Sequence, residues 1–220
     1  MRNLLVFGAL AAVAAPAAFA QEASSVTITS NVALVSDYQW RSVTQSDKDW
    51  TIQGGFDLTA SNGFYAGVWG SGVDFDDEPE DTNLEIDLYG GYRFEAGGLG
   101  FDLGLVSYAY PDAGTADLNF YEVYGKVSKS LEGGLSLGGS LNWDPDNQTT
   151  YIDGTAGLAL NDALSLSGGY GAYIEGYGEY SGWNLGGTYT VSGVALGLRY
   201  YDNDTEGDNS NLVFSIGRTM

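Results

Sequence analysis

From about Val26 to the C-terminus, short stretches of alternating apolar and polar residues are joined by two kinds of connection that take strict turns. One kind is tight and mostly glycine-rich: SNG at 61–63, EAGG at 95–98, LEGG at 131–134, ND at 161–162 and SG at 192–193. The other is longer and acidic: TQSDKD at 44–49, DFDDEPEDTN at 74–83, PDAGTAD at 111–117, DPDNQT at 144–149, IEGYGEY at 174–180 and DNDTEGDNS at 202–210. A soluble β-sandwich has no reason to sort its connections this way. A barrel crossing an outer membrane does, because one rim carries short periplasmic turns and the other carries longer outer loops.

The alternation assigns faces. In the first stretch Val26, Ile28, Val32, Leu34 and Tyr38 share one side, opposite Thr27, Thr29, Asn31 and Asp37. The fourth sets Leu84, Ile86, Leu88, Tyr92 and Phe94 against Glu85, Asp87, Tyr89 and Arg93. A period of two places each set on one face of a sheet. Continued to Leu212, Phe214 and Ile216, and counting a third strand over 64–73 whose facing the pattern leaves open, the reading predicts twelve strands. Each spans about 10 residues, the length that crosses a bilayer when tilted. Trp40, Trp50, Tyr92, Phe94, Trp143 and Trp183 gather near strand ends, as interfacial girdles do. The fold expected is therefore all-β, a transmembrane up-and-down antiparallel barrel.

Residues 1–20 read as a cleaved signal peptide: Arg2 begins it, an apolar run follows, and Ala18-Phe19-Ala20 supplies the small-residue cleavage pattern. The domain proper is then 21–220, and the destination is the outer membrane. Cysteine is absent, so neither a disulfide framework nor a thiolate metal site can form. The net charge of −21 opposes nucleic-acid binding. Eighteen of the 29 carboxylates fall in the six outer loops, which concentrates the charge on one rim.

The stretch NVALVSDYQWRSVTQSDKDWTIQGGFDLTASNGFYAGVWGSGVDF (31–75), with LEIDLYGGYRF (84–94) and the closing VFSIGRTM (213–220), resembles the TorF porin family of exported proteobacterial proteins. That family's segment after the first strand usually reads Asp-Tyr-Arg-Phe-Arg-Gly-Ile-Ser-Gln-Ser. Here residues 37–46 read DYQWRSVTQS: Arg41, Gln45 and Ser46 match, while Ser42 stands where the family has glycine, so a shifted bend is expected there. The resemblance implies an outer-membrane barrel with a channel role and no particular substrate. The C-terminus departs from the usual barrel signature by ending in Met220 rather than an aromatic residue.

With neither histidine nor cysteine, the Ser–His and Asp–His chemistry of outer-membrane hydrolases has no base, and no enzymatic activity or cofactor is expected. The lumen is the place to look for function. Asp37, Asp57, Glu85, Asp87, Arg93, Asp102, Asp153 and Arg199 are assigned inward, Glu122 and Lys126 come from a strand of less secure facing, and Arg41 lies near the outer mouth. Twelve strands imply a bore between the filled eight-stranded and the open sixteen-stranded barrels. The reading is a porin that lets small solutes diffuse through a narrow, acidic, cation-preferring lumen. The alternatives are a non-conducting structural or surface barrel and a soluble periplasmic ligand-binding β-protein. Asp202, Asp204 and Glu206 mimic the opening of a calcium loop, but the twelfth position is Val213 rather than glutamate. The partners expected are outer-membrane lipid and lipopolysaccharide, the latter bridged by divalent cations to the acidic loops.

Overall fold

The computed structural model of the chain describes residues 26–75, 81–114, 116–176, 180–206 and 209–220. The expected leader at 1–20 lies outside the described residues, as do the middle of DFDDEPEDTN at 76–80, Thr115, and positions 177–179 and 207–208 of two other acidic loops. The strands are β1 (Val26–Val35), β2 (Gln39–Trp40), β3 (Val43–Thr44), β4 (Thr51–Ala60), β5 (Phe64–Phe75), β6 (Thr82–Ala96) and β7 (Leu99–Ala109). They continue with β8 (Phe120–Ser130), β9 (Leu135–Asp144), β10 (Thr149–Ala159), β11 (Leu164–Glu175), β12 (Ser181–Val191), β13 (Val194–Asn203) and β14 (Asn211–Thr219).

Twelve of these form one closed antiparallel barrel, each strand beside its neighbour in the chain, with β1 sealed against β14. The remaining two, β2 and β3, form a separate hairpin. At the seam Asn31 to Val35 pair with Thr219 to Ser215, and Ser30 and Met220 exchange backbone hydrogen bonds of 2.8 Å. The last residue thus completes the ladder although it is not aromatic. Closure leaves no sheet edge, which is what lets strands cross a bilayer.

The tight connections are what the sequence implied. Gly97 and Gly98 join β6 to β7 with φ of 61° and 75°, and Ser192 and Gly193 join β12 to β13 with φ of 51° and 79°. Two successive left-handed residues make the hairpin turn whose twist matches that of the strands.

The predicted apolar face lies outside. Ile28, Ile52, Phe56, Leu88, Leu103, Leu185, Leu198, Phe214 and their companions form an exposed belt, with Trp50, Trp143 and Trp183 on the same surface. No helix among the described residues is long and apolar enough to cross a membrane, which leaves crossing by strands untouched. The strand left open by sequence is resolved: Tyr65, Ser71 and Val73 are buried inside, and Phe64 and Val68 face out. Two aromatic expectations are corrected. Tyr38 and Trp40, assigned to the outer face and its girdle, lie inside the barrel, because the chain leaves the wall after Val35 and the alternation no longer reports on the sheet.

Glycine fits the interior by subtraction of volume. Tyr89 lies over its cross-strand partner Gly67, Tyr65 over Gly91 and Tyr124 over Gly104; a Cβ at any of these glycines would sit about 2.4–2.5 Å from the ring or its hydroxyl. Tyrosines thereby lie flat along the wall rather than blocking the bore, a pairing in which the ring covers the bare backbone.

The belt generates a prediction. Leu88 is 59% exposed near the middle of β6. In lipid, Leu88→Arg is expected to destabilise the barrel by about 2–4 kcal/mol, whereas an exposed site on a water-soluble protein would change by about 0.5 kcal/mol or less. Heat-modifiable gel migration from lipid vesicles measures the difference.

Candidate functional site

The first long connection does not stay at the rim. After Val35 the chain turns into the barrel, forms the β2–β3 hairpin and returns to β4. Its turn is Arg41-Ser42, with φ of 52° and 65°. Ser42 thus adopts a left-handed conformation that suits glycine, at a steric cost of roughly 1–2 kcal/mol. The serine is held there from both sides: its hydroxyl lies 3.3 Å from the Trp183 carbonyl, and its own carbonyl accepts from Asn203 Nδ2 at 2.5 Å.

The hairpin reaches across the whole bore. At its base Asp37 is buried and accepts from Thr44 Oγ1 at 2.7 Å, Ser46 Oγ at 3.1 Å, Asn211 Nδ2 of β14 at 2.5 Å, and Gln39 Nε2. At its tip a Cβ on Gly182 of β12 would stand 2.7 Å from the Ser42 Cβ, so the turn seats on bare backbone three strands round the wall from β1. Between base and tip, Tyr38, Trp40, Val35, Val73, Tyr108, Tyr110 and Ala113 pack into an apolar core, with Trp69, Phe75 and Phe120 against it. Trp40 meets Tyr108 and Phe120 edge-on, with ring centroids 6.0 and 6.2 Å away. The outer part of the barrel thus holds a hydrophobic core inside its lumen.

Arg41 locks the tip. Its Nη2 lies 2.6 and 2.7 Å from the two oxygens of Glu122 on β8, Nη1 donates to the Tyr173 hydroxyl at 2.5 Å, and the guanidinium sits 4.1 to 5.1 Å from the rings of Trp40, Tyr151 and Tyr173. Both ion-pair side chains are nearly inaccessible, at 8% and 2% exposure. Removing one partner of such a pair leaves a buried charge and costs about 3–5 kcal/mol. Glu85 is tied in the same region by the hydroxyls of Tyr38 and Tyr110, each at 2.8 Å.

Below the hairpin a row of charges follows the strand register. Arg93 pairs with Asp102, Asp102 with Lys126, Lys126 with Ser140 and Ser140 with Asp153, on β6 through β10. Arg93 Nε lies 3.0 Å from Asp102 Oδ2, the Tyr65 hydroxyl donates to Asp102 Oδ1 at 2.5 Å, and Ser140 donates to Asp153. Asp57 accepts from Tyr89 at 2.6 Å. A cavity of about 690 Å³ runs from Tyr38, Trp40 and Arg41 toward the short-turn rim at Thr190, Gly193 and Thr219.

Of the sequence-nominated residues, Asp37, Arg41, Asp57, Asp87, Arg93, Asp102, Lys126, Asp153 and Arg199 line this cavity. Glu85 and Glu122 lie buried beside the hairpin, their oxygens occupied by tyrosines and Arg41. The acidic string near the C-terminus is put to local use. Asp204 accepts from the backbone N–H and hydroxyl of Ser181 at 2.6 and 2.8 Å, bonds that hold its carboxyl below the usual carboxylate range. Among the described residues, no group of three or more carboxylates stands placed to hold a metal ion, Asp202, Asp204 and Glu206 included. Sequence reasoning missed the participation of Tyr38, Trp40 and Ser42. The density of hydrogen-bonding and aromatic side chains over 37–46 was the available signal.

The seating of the turn is testable because the chain has no cysteine of its own. Ser42→Cys is expected to react slowly with a membrane-impermeant maleimide. Adding Gly182→Val, which fills the seat, is expected to speed labelling at least about tenfold, equivalent to about 1.4 kcal/mol of lost seating.

The geometry has solved counterparts. A KdgM porin superposes with a TM-score of 0.63 at 8% identity, covering 87% of this chain and 97% of that one. A NanC porin gives 0.58 at 11% identity, covering 88% and 98%. The COG4313 outer membrane channel from Pseudomonas putida F1 gives 0.50 at 13% identity, covering 94% and 98%. At such identities the likeness is one of fold, and the fold is that of outer-membrane porins and channels. No curated protein matches the sequence. The chain belongs to the bacterial protein family of unknown function Gcw_chp, which matches residues 19–217.

Proposed function

We propose that this protein is an outer-membrane porin in which small solutes diffuse passively through a narrow, charged lumen gated by the β2–β3 hairpin. The observation that carries the reading is a cavity of about 690 Å³, lined in part by charged side chains, inside a closed barrel whose exterior is an apolar belt. The resemblance of residues 31–75 to TorF porins and the fold shared with KdgM and NanC porins support it. One of those structures is a KdgM porin in complex with disordered oligogalacturonate, and small hydrophilic solutes are the class assigned to this chain.

We assign a cation bias to the lumen and its acidic mouth taken together. Asp37, Asp57, Glu85, Asp87, Asp102, Glu122 and Asp153 stand against Arg41, Arg93, Lys126 and Arg199, with Lys129 and Arg218 also lining the cavity, an excess of one carboxylate. The acidic outer loops add to it by raising the local cation concentration at the mouth, an effect that salt screens over about 10 Å at 0.1 M. The same loops suit divalent cations bridging to lipopolysaccharide phosphates.

One observation favours a second reading, a non-conducting barrel: the apolar core around Tyr38, Trp40 and Tyr108 fills the outer lumen. Planar-bilayer conductance separates the two. The porin reading expects small channel steps from the native protein and larger or longer ones from Arg41→Gln, which leaves Glu122 unpaired and frees the tip. Deleting residues 39–44 is expected to give the largest steps. Silence from all three proteins would establish the non-conducting barrel. In conducting channels, Glu85→Gln with Asp87→Asn is expected to lower the cation-to-anion permeability ratio by about twofold or more, since lumen carboxylates select cations by charge. An unchanged ratio would move the filter elsewhere.

A further inference from the structure

The lumen has two unlike walls. From β4 to β10 it is crowded with tyrosines and charges. From β11 through β14 and on to β1 the cavity lining is mostly small and uncharged, with Ser167, Asn184, Thr188, Thr190 and Ser215 between glycines; Tyr201 is the tyrosine on this side, and its basic groups are Arg199 within the bore and Arg218 at the short-turn end of β14. Among the described residues Arg199 forms no ion pair, and its partners are neutral.

The way those partners are arranged leaves a defined face unused. Arg199 Nη1 donates to the Ser167 carbonyl at 3.2 Å and to Asn184 Oδ1 at 2.5 Å, and Nη2 donates to the Ser167 hydroxyl. A guanidinium has five N–H groups in a rigid fork. Three are consumed, and the two that both reach Ser167 take the end between Nη1 and Nη2. The remaining pair, Nε–H and one Nη2–H, lies along one edge, the edge that takes a carboxylate through two parallel bonds. Neutral acceptors fix the orientation of the group and leave its charge uncompensated. Gly186, the cross-strand partner of Arg199, makes room for the arginine stem: a Cβ there would come within 2.7 Å of the Arg199 Cβ.

The geometry points to a carboxylate-binding subsite at Arg199, on the open side of the lumen and beneath the hairpin. It rests on the lumen being a solute path, and it names the solute class as small molecules that carry a carboxylate. Facing a wall with excess negative charge, the subsite admits two sources of that group: a plain organic acid, or a zwitterion whose cationic end lies toward Asp57 and Asp153. The cation bias and the subsite are compatible, because one is a property of the whole bore with its mouth and the other of a single wall.

The test is calorimetric titration of the full chain, folded in detergent, with butyrate, 4-aminobutyrate and butyramide. The carboxylates are expected to bind and the amide is not. Arg199→Gln is expected to weaken carboxylate binding at least about tenfold, the size of a charge-assisted bond. Arg199→Lys, which keeps the charge and loses the fork, is expected to fall between. Should Arg199→Gln fail to fold, Asn184→Asp sets an internal carboxylate against the guanidinium and is expected to abolish binding with almost no change of shape. A 4-aminobutyrate affinity above that of butyrate identifies a zwitterionic solute, and the reverse order an organic acid; both support the subsite. Equal binding of butyramide and butyrate, or unchanged carboxylate binding in the folded variants, overturns it. Binding in detergent needs no through-path, so a protein that binds butyrate through Arg199 yet conducts nothing refutes the porin reading alone.

Discussion

In the hydrocarbon of a bilayer no water completes an unpaired backbone group, and the whole structure follows from satisfying those groups within the protein. A sheet does this only by closing. The pairing of β1 with β14 is therefore the contact on which everything else depends, since without it two strands would present open edges to lipid. Closure then imposes the two-residue period on every strand, because one face meets lipid and the other meets the lumen. It also forces the sorting of connections, since twelve strands in meander order must turn alternately at the two rims.

Inside, the constraint is volume. A twelve-stranded bore is too wide to be filled by wall side chains and too narrow for many large ones to project across it. The protein resolves this in two ways. Tyrosines lie over glycines along the β4–β10 wall, where their hydroxyls serve Asp57 and Asp102. The hairpin crosses the remaining gap nearer the long loops, carrying its own apolar packing and one buried ion pair. Polar chemistry is left to the stretch between hairpin and short-turn rim.

Much of this was legible in the chain. Strand number, facing and rim assignment follow from alternation and turn composition, and Leu84 to Phe94 alone display the whole argument. The inward placement of Asp57, Arg93, Asp102 and Arg199 follows from the same parity. The hairpin was not legible. Periodicity reports on a sheet only while the chain remains in it, so Tyr38 and Trp40 kept the phase of the outer face after the backbone had left the wall. Glu85 and Glu122 show a related limit. Parity gives the side of the sheet, but whether a carboxylate meets solvent or a tyrosine hydroxyl depends on what else enters the barrel. The unused edge of Arg199 is further from reach, because it is set by which nitrogens two neutral neighbours occupy.

The hairpin lies between β1 and β4, and β1 is also one side of the seam. The element that fills the bore is thus tethered to the strand that closes the wall, and it holds Glu85, Glu122, Trp183, Asn203 and Asn211 on five different strands. No partial barrel presents all of these at once. Corking and closure are consequently a single topological event: a barrel parted at its seam has also lost its stopper, so an assembly intermediate with an open wall has an open bore as well.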